Sequence, residues 1–440
     1  MTNDAPADNS APQIISRAAH NVSRKDISDS ALKVLYRLHK AGYKAFLVGG
    51  CVRDALVGLH PKDFDVATDA TPDEVRSLFS NARLIGRRFR LAHVRFGREI
   101  IEVATFRAAA ISKHDDVEHD DHGRIIRDNV YGTIEEDVWR RDFTCNALYY
   151  NIADFSIWDY VGGCQDIDER KIALIGEAGQ RMREDPVRML RAVRFAAKLD
   201  FTIADDVQQA MHEHVGLLTN VPAARLFDEF MKLFQSGYAE KTYRLLSEFG
   251  LFAEMFPATA QELEQNPDYE QFILAALKNT DRRVASGKSI TPMFLLGVFF
   301  WQPSLRLAAE HREKEHMSEA QALSLAAYEL VGAQQKRISI PKRFTIPMRE
   351  MLALQPRFEI TRGKRALKLL DHRRFRAAYD FMVLRSEVGQ FDPELADFWT
   401  DIQNLSSSER ATKLQVLKKP PQHGRRRRRR RRGKRAAGSS

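Results

Sequence analysis

Ala45-Phe46-Leu47-Val48-Gly49-Gly50-Cys51-Val52-Arg53-Asp54-Ala55-Leu56-Val57-Gly58, followed after Pro61 by Lys62-Asp63-Phe64-Asp65-Val66-Ala67, is the stretch that decides how this 440-residue chain folds. The apolar run Ala45–Val48 is too short for a buried helix and ends at a glycine pair, which predicts a strand and a tight turn. Val52, Ala55 and Leu56 then take up helical spacing until Gly58. From Lys62 to Ala67 charged and apolar side chains alternate, the pattern of a half-buried strand. Side chains two apart on a strand share a face, so Asp63 and Asp65 stand together. Two adjacent carboxylates repel, and a divalent cation bound through oxygen relieves them; Mg²⁺ is the natural ion. The alternative is an exposed polar strand face. Gly49 and Gly50 let the backbone approach a phosphate closely, and the helix that follows offers N–H groups to an anion such as a triphosphate. The alternative there is a tight turn with no ligand.

Working outward, Ala31, Val34, Leu35 and Leu38 predict a helix within Ile27–Ala41, stopped by Gly42. Residues 1–24, rich in Ala, Asn, Ser and Pro, read as a disordered lead-in. Thr71-Pro72-Asp73-Glu74 has the form of an N-cap, a first-position proline and an acidic first turn. Three strands follow, at Leu84–Ile85, Leu91–Phe96 and Glu99–Phe106, and then a polar loop from Ala108 to Tyr131. Mixed strands and helices over residues 25–165 predict an α+β domain with a small mixed sheet. Beyond Asp185 the spacing is helical throughout. Boundaries are expected at 166–240 and 241–410 for two helical domains, and at 411–440 for a disordered basic tail.

The chain carries 69 Lys and Arg against 59 Asp and Glu. Thirteen of the basic residues lie from 411 to 440 with no acid among them, so the body is slightly acidic and the excess positive charge sits in one tail. Its unbroken run Arg425–Arg432 repels itself open and calls for a polyanion. Cys51, Cys145 and Cys164 lie far apart without a C-x-x-C pair, which argues against a disulfide framework or structural zinc and fits a reducing cytoplasm. The longest apolar stretch, Met293–Trp301, is about half the ~20 residues a membrane span needs, so no stable membrane insertion is expected.

Four motifs together resemble the class II nucleotidyltransferases of the polymerase-β superfamily, the group that holds bacterial poly(A) polymerases and tRNA CCA-adding enzymes. They are Gly49-Gly50-Cys51-Val52-Arg53-Asp54, Asp63-Phe64-Asp65, Arg140-Arg141-Asp142-Phe143-Thr144 and Glu184-Asp185-Pro186-Val187-Arg188. Leu84 to Val94 is similar to the signature of the poly(A) branch. The resemblance spans roughly Ser23 to Arg385 and implies a polymerase-β-like catalytic domain at 25–165, a nucleotide-recognition neck at 166–240 and an RNA-binding body. It implies that Asp63 and Asp65 bind two Mg²⁺ ions and that Asp142 is the third active-site carboxylate. Glu102, on the alternating strand Ile100–Ala104, is the rival for that third place, and a helix N-cap is the other reading of Asp142. Adenine selection is expected at Asp185 and Arg188, although Asp185 directly precedes a proline and so reads by default as an N-cap, a role compatible with the other. Arg53 either contacts triphosphate or pairs with a neighbouring acid.

The function so implied is template-independent transfer of AMP from ATP to an RNA 3′-hydroxyl, with release of pyrophosphate. The partners implied are ATP, RNA 3′ ends and proteins of RNA decay or RNA chaperoning. RNA contacts are expected from Arg362, Lys364, Arg365, Arg373 and Arg374, a cluster that reads alternatively as a solvated face, and from Arg425, Arg426, Arg427 and Arg428 in the tail. A CCA-adding enzyme shares the catalytic residues, but the Leu84–Val94 stretch and the arginine tail weigh against it. An RNA-binding protein with a decayed site is the reading from another class, opposed by the intact acids and glycines. Lys113–His122 holds three histidines and five acids, yet without apolar residues to hold ligands rigid it reads as a mobile charged loop rather than a metal site.

Overall fold

The computed structural model describes residues 11–86, 90–108, 117–119, 125–128 and 130–415. The Arg425–Arg428 expectation and most of Lys113–His122 lie outside the described residues. In chain order the first elements are β1 (Gln13–Ile15), α1 (Asp29–Lys40), β2 (Ala45–Val48), α2 (Gly50–Leu56), β3 (Asp65–Thr68) and α3 (Pro72–Leu78). Next come β4 (Ala82–Ile85), β5 (Leu91–Phe96), β6 (Glu99–Thr105), β7 (Val117–His119), β8 (Ile125–Asp128), α4 (Ile134–Arg140), β9 (Leu148–Asn151) and β10 (Ile157–Asp159). After α5 (Gly163–Asp168), β11 (Lys171–Ile172), α6 (Ala178–Glu184), α7 (Val187–Leu199) and β12 (Thr202–Ile203), the chain is helical.

Local chemistry accounts for the helix starts. Ser28 caps α1 by accepting the Ala31 N–H, and Ala31, Val34, Leu35 and Leu38 line its buried side. Thr71 and Glu74 form a reciprocal capping box with Pro72 in the first turn of α3, and Thr133 with Glu136 does the same for α4. Eight strands make one mixed sheet in the order β1-β10-β9-β2-β3-β6-β5-β4, in which only β3 and β6 run parallel. β2 is buried at every position, and its Phe46 and Val48 pack in a core with Ala67, Phe106, Ile134, Val138, Ala147 and Tyr149.

The α+β architecture with a mixed sheet is therefore as read from the sequence, with four differences. The lead-in contributes an edge strand, because Gln13–Ile15 pairs with β10, a partner about 145 residues away that no local pattern reveals. The polar stretch 108–131 contains the hairpin of β7 and β8. Helical spacing after Phe143 yields one 3₁₀ turn, Thr144–Asn146, and then strand β9. A two-residue strand, β12, follows α7 and pairs with β11.

The described residues divide into two compact units, one reaching Leu295 and including Leu330–Pro341, the other comprising Leu296–Glu329 and residues from Lys342 onward. The first continues beyond β12 with α8 (Asp205–His214), α9 (Ala223–Phe234), α10 (Ala239–Glu248), α11 (Leu251–Met255), α12 (Pro257–Gln265) and α13 (Tyr269–Ala285). Two long helices, α14 (Pro292–Glu315) and α15 (Glu319–Gln334), contribute to both units. The second adds α16 (Lys342–Ala353), α17 (Gly363–Leu370), α18 (Phe375–Glu387), α19 (Pro393–Ile402) and α20 (Ser407–Lys413). Its core is aromatic: Trp399 is fully buried, stacks edge-on against Phe358 and donates its indole N–H to the Phe358 carbonyl at 2.7 Å. No helix among the described residues is long and apolar enough to cross a membrane.

Candidate active site

Gly49 joins β2 to α2 at φ +80°, ψ −138°, a conformation that side chains other than glycine's rarely adopt. A Cβ built there would stand 3.9 Å from Asp65 Oδ2 and 4.0 Å from Arg141 Nη1. The bare glycine thus leaves a cradle between a carboxylate and a guanidinium. Asp65 opens β3, while Asp63 lies in the bend just before it, so the two acids are not both within the strand as expected. Burial still alternates, with Asp63 and Asp65 exposed around buried Phe64, and the Asp63 charge is felt at the Asp65 carboxyl.

The parallel pairing of β3 with β6 sets Asp65 directly opposite Glu102. Although Asp65 as a whole is exposed, its Oδ2 sits at the Gly49 turn, and the Asp65 carboxyl is pushed up to about 6, first by desolvation there and next by the Glu102 charge, with Asp63 adding and Arg141 opposing. On the next strand His93 lies opposite Glu102, and its Nε2 comes within 3.2 Å of Glu102 Oε1. Among the described residues no three acidic, histidine or cysteine side chains close into a complete metal site. An all-oxygen pair of carboxylates with an unneutralised like-charge interaction nevertheless fits Mg²⁺, which typically takes one or two protein carboxylates and completes its shell with water and substrate phosphate.

Arg141 forms the other side of the cradle. Its Nε donates to Tyr149 Oη at 2.8 Å, its Nη2 to Asp137 Oδ2 at 2.9 Å, and Tyr149 Oη donates to the same Asp137 oxygen at 2.7 Å. These partners hold the guanidinium pKa above its ordinary value despite burial, and leave Nη1 beside Gly49. Sequence reading took only the acid from the Arg140-Arg141-Asp142 motif; the paired arginines were the signal for this residue.

Asp142 occupies a different environment from Asp65. Its Oδ1 accepts the Phe143 N–H at 2.9 Å and Asn146 Nδ2 at 3.4 Å, and its Oδ2 accepts Arg191 Nε at 2.6 Å. Both oxygens are thus engaged by protein, and the partner set across from Asp65 is Glu102, the rival position. Asp142 precedes the 3₁₀ turn Thr144–Asn146 but is not its N-cap, which is Phe143 without a side-chain cap bond.

Arg53 lies inside the fold. It is 2% exposed, its Nε donates to Asp54 Oδ1 at 3.0 Å, its Nη1 donates to Asn146 Oδ1, and its face packs 5.0 Å from the Phe195 ring. The ion pair with the neighbouring acid, one of its two readings, is present. Lys198 Nζ joins Asp54 Oδ2 at 2.8 Å, tying α2 to α7.

Asp185 ends α6, and its Oδ1 accepts the Val187 N–H at 3.3 Å at the start of α7, with Pro186 as the N-cap one residue later than expected. Its Oδ2 takes Arg225 Nη2 at 2.7 Å. Arg188 Nη1 donates to Glu184 Oε2 at 3.1 Å, an oxygen it shares with Arg181. In the second unit, Arg362, Lys364 and Arg365 are exposed at the start of α17, whereas Arg373 and Arg374 both pair with Glu350 and offer less charge to solvent.

Three family profiles match the chain: "Poly A polymerase head domain" over residues 45–173, "Probable RNA and SrmB- binding site of polymerase A" over 200–263, and "Polymerase A arginine-rich C-terminus" over 315–434. Poly(A) polymerase I of Salmonella typhi is 47% identical over 415 residues, covering 93% of this chain and 89% of that one. The protein of the same name from Haemophilus influenzae is 42% identical over 91% of this chain and 90% of its own length. A CCA-adding enzyme from Bacillus pumilus is 37% identical, over 51% of this chain and 54% of its own. The crystal structure of the Bacillus stearothermophilus CCA-adding enzyme in complex with CTP shares the fold, with a TM-score of 0.53, 24% identity, and coverage of 89% of this chain and 88% of that one.

Proposed function

The chain belongs to the bacterial poly(A) polymerase I family, and from that membership we propose how its own residues carry the reaction. It is a nucleotidyltransferase that adds AMP from ATP to RNA 3′ ends without a template. Asp63 and Asp65 would hold the metal, and Glu102, which β6 delivers opposite Asp65, is our choice over Asp142 for the third carboxylate beside it. Asp142 instead orients Arg191 toward the nucleotide. Two Mg²⁺ ions, when bound, supply charge neutralisation for the triphosphate and lower the pKa of the attacking 3′-hydroxyl.

Gly49 and Gly50 admit the phosphates to the backbone, and Arg141 Nη1 draws their negative charge toward the Asp65 side of the cradle. The RNA 3′ oxygen attacks the α-phosphorus in line, the bond to the bridging oxygen breaks, and pyrophosphate departs. Asp185 and Arg188, fixed by Arg225 and Glu184, present an acceptor and donors to the adenine edge, so the protein itself selects the nucleotide. The exposed cations of α17 and the arginine run of the tail track the RNA backbone. We place the reaction in the cytoplasm, where ATP, RNA ends and RNA-decay proteins meet, and where free Cys51, Cys145 and Cys164 are at home.

The observation that carries this reading is the alignment of Asp65 with Glu102 beside the Gly49 cradle. Asp65→Asn tests it. AMP incorporation is expected to fall by at least about a hundredfold, with RNA affinity measured by anisotropy unchanged. Wild-type incorporation in the variant would refute the assignment.

A further inference from the structure

We propose that the α15–α16 surface around Tyr328 is a stacking platform for the bases of single-stranded RNA. Tyr328 is 58% exposed, and the Arg349 guanidinium lies over its ring at 4.7 Å. Among the described residues no carboxylate pairs with Arg349, and its Nε is buried without a hydrogen-bond partner, so stacking alone holds this cation in place. One turn earlier on α16 stands Ile346, 47% exposed, and one turn before that Arg343, also exposed, next to exposed Lys342.

The acids nearest in sequence do not cancel this charge. Glu329, beside Tyr328, faces His311 Nε2 at 3.1 Å, and Glu350, beside Arg349, is taken by Arg373 and Arg374. What is left is a flat aromatic ring with one face braced by an arginine, an apolar shelf, and three cations.

That combination matches a polymer that alternates planar bases with phosphates. A base stacks on an aromatic ring whatever its identity, and neighbouring cations follow the backbone. Because Arg349 already fixes the ring, little ordering entropy remains to be lost on binding. An acidic peptide would satisfy the cations but leave the ring and Ile346 without a planar partner. The inference rests on the reading that the chain acts on RNA, and it adds a grip on primer upstream of the end being extended.

The test compares binding of a 20-nucleotide oligo(A) with an abasic ribose-phosphate 20-mer, by fluorescence anisotropy on the full chain. Tyr328→Ala is expected to weaken oligo(A) binding by about five- to a hundredfold, to leave the abasic strand unaffected, and to raise the KM for RNA with kcat at saturating RNA and ATP retained. Tyr328→Phe is expected to bind as the wild type does. Unchanged oligo(A) affinity in Tyr328→Ala, or an equal loss on the abasic strand, would overturn the proposal. So would a polyglutamate peptide that displaces oligo(A) from the wild type and itself needs Tyr328. Absence of AMP incorporation by the wild type would count against the enzyme reading instead, and the binding comparison would still decide the platform.

Discussion

Replacing Gly49 by alanine separates its two readings, a phosphate cradle and a tight turn. The backbone at φ +80°, ψ −138° is strained for any residue with a Cβ, at a cost of about 1–3 kcal/mol. No steric overlap adds to this, because the nearest atoms to the new methyl, Asp65 Oδ2 and Arg141 Nη1, lie at 3.9 and 4.0 Å, ordinary contact distances. With an unfolding entropy of about 2.1 cal/mol/K per residue, each kcal/mol is worth about 1.5 °C in the compact unit of about 300 residues that holds Gly49, so its Tm is expected to drop by roughly 2–5 °C with the fold retained. The methyl occupies the space a phosphate oxygen needs, and losing one charged hydrogen bond worth about 1.5–3 kcal/mol raises the KM for ATP by roughly ten- to a hundredfold. The assay pairs scanning calorimetry with initial rates over a range of ATP at saturating RNA. A lowered Tm with an unchanged KM would refute the cradle, and an unchanged Tm would refute the strain argument.

Other consequences follow from the same geometry. Glu102→Gln should lower kcat by at least about a hundredfold, while Asp142→Asn should mainly raise the KM for ATP and lower Tm by freeing Arg191; the reverse ranking would restore Asp142 as the third carboxylate. Arg53→Met breaks a buried ion pair and should destabilise the catalytic unit by about 3 kcal/mol, the low end of such losses because Lys198 still neutralises Asp54; calorimetry showing no change would contradict its structural role. Burial pushes the thiols of Cys51, Cys145 and Cys164 up to about 12, and a raised thiol pKa means less thiolate at any pH below it. At pH 8 iodoacetamide should therefore leave all three largely unmodified in the native chain and label them after denaturation, which mass spectrometry will score.

The glycine pair and the two aspartates were legible because each depends only on a few adjacent residues: a short apolar run, a turn, a two-residue alternation. Capping boxes such as Thr71 with Glu74 were equally local. Glu102 was legible in its parity but not in its partner, since the register that sets it opposite Asp65 is a pairing of two strands more than thirty residues apart. Burial was the missing quantity for Arg53, whose enclosure by Asn146 and Phe195 no local pattern gives. Arg141 went unassigned because its role depends on Asp137 and Tyr149, which hold it from a helix and a strand on either side. The edge strand β1 was invisible for a similar reason: Gln13–Ile15 carries no strand signal of its own and is ordered by pairing with β10.

Extension of a single-stranded RNA unlike tRNA, with Mg²⁺ and each nucleoside triphosphate supplied separately, tests the central claim most directly when the wild type and Asp63→Ala are followed side by side on a sequencing gel. The account predicts long ladders with ATP alone from the wild type and none from the variant, whose RNA affinity is retained. Addition confined to C, C and A on truncated tRNA, or ladders of equal length from Asp63→Ala, would contradict it.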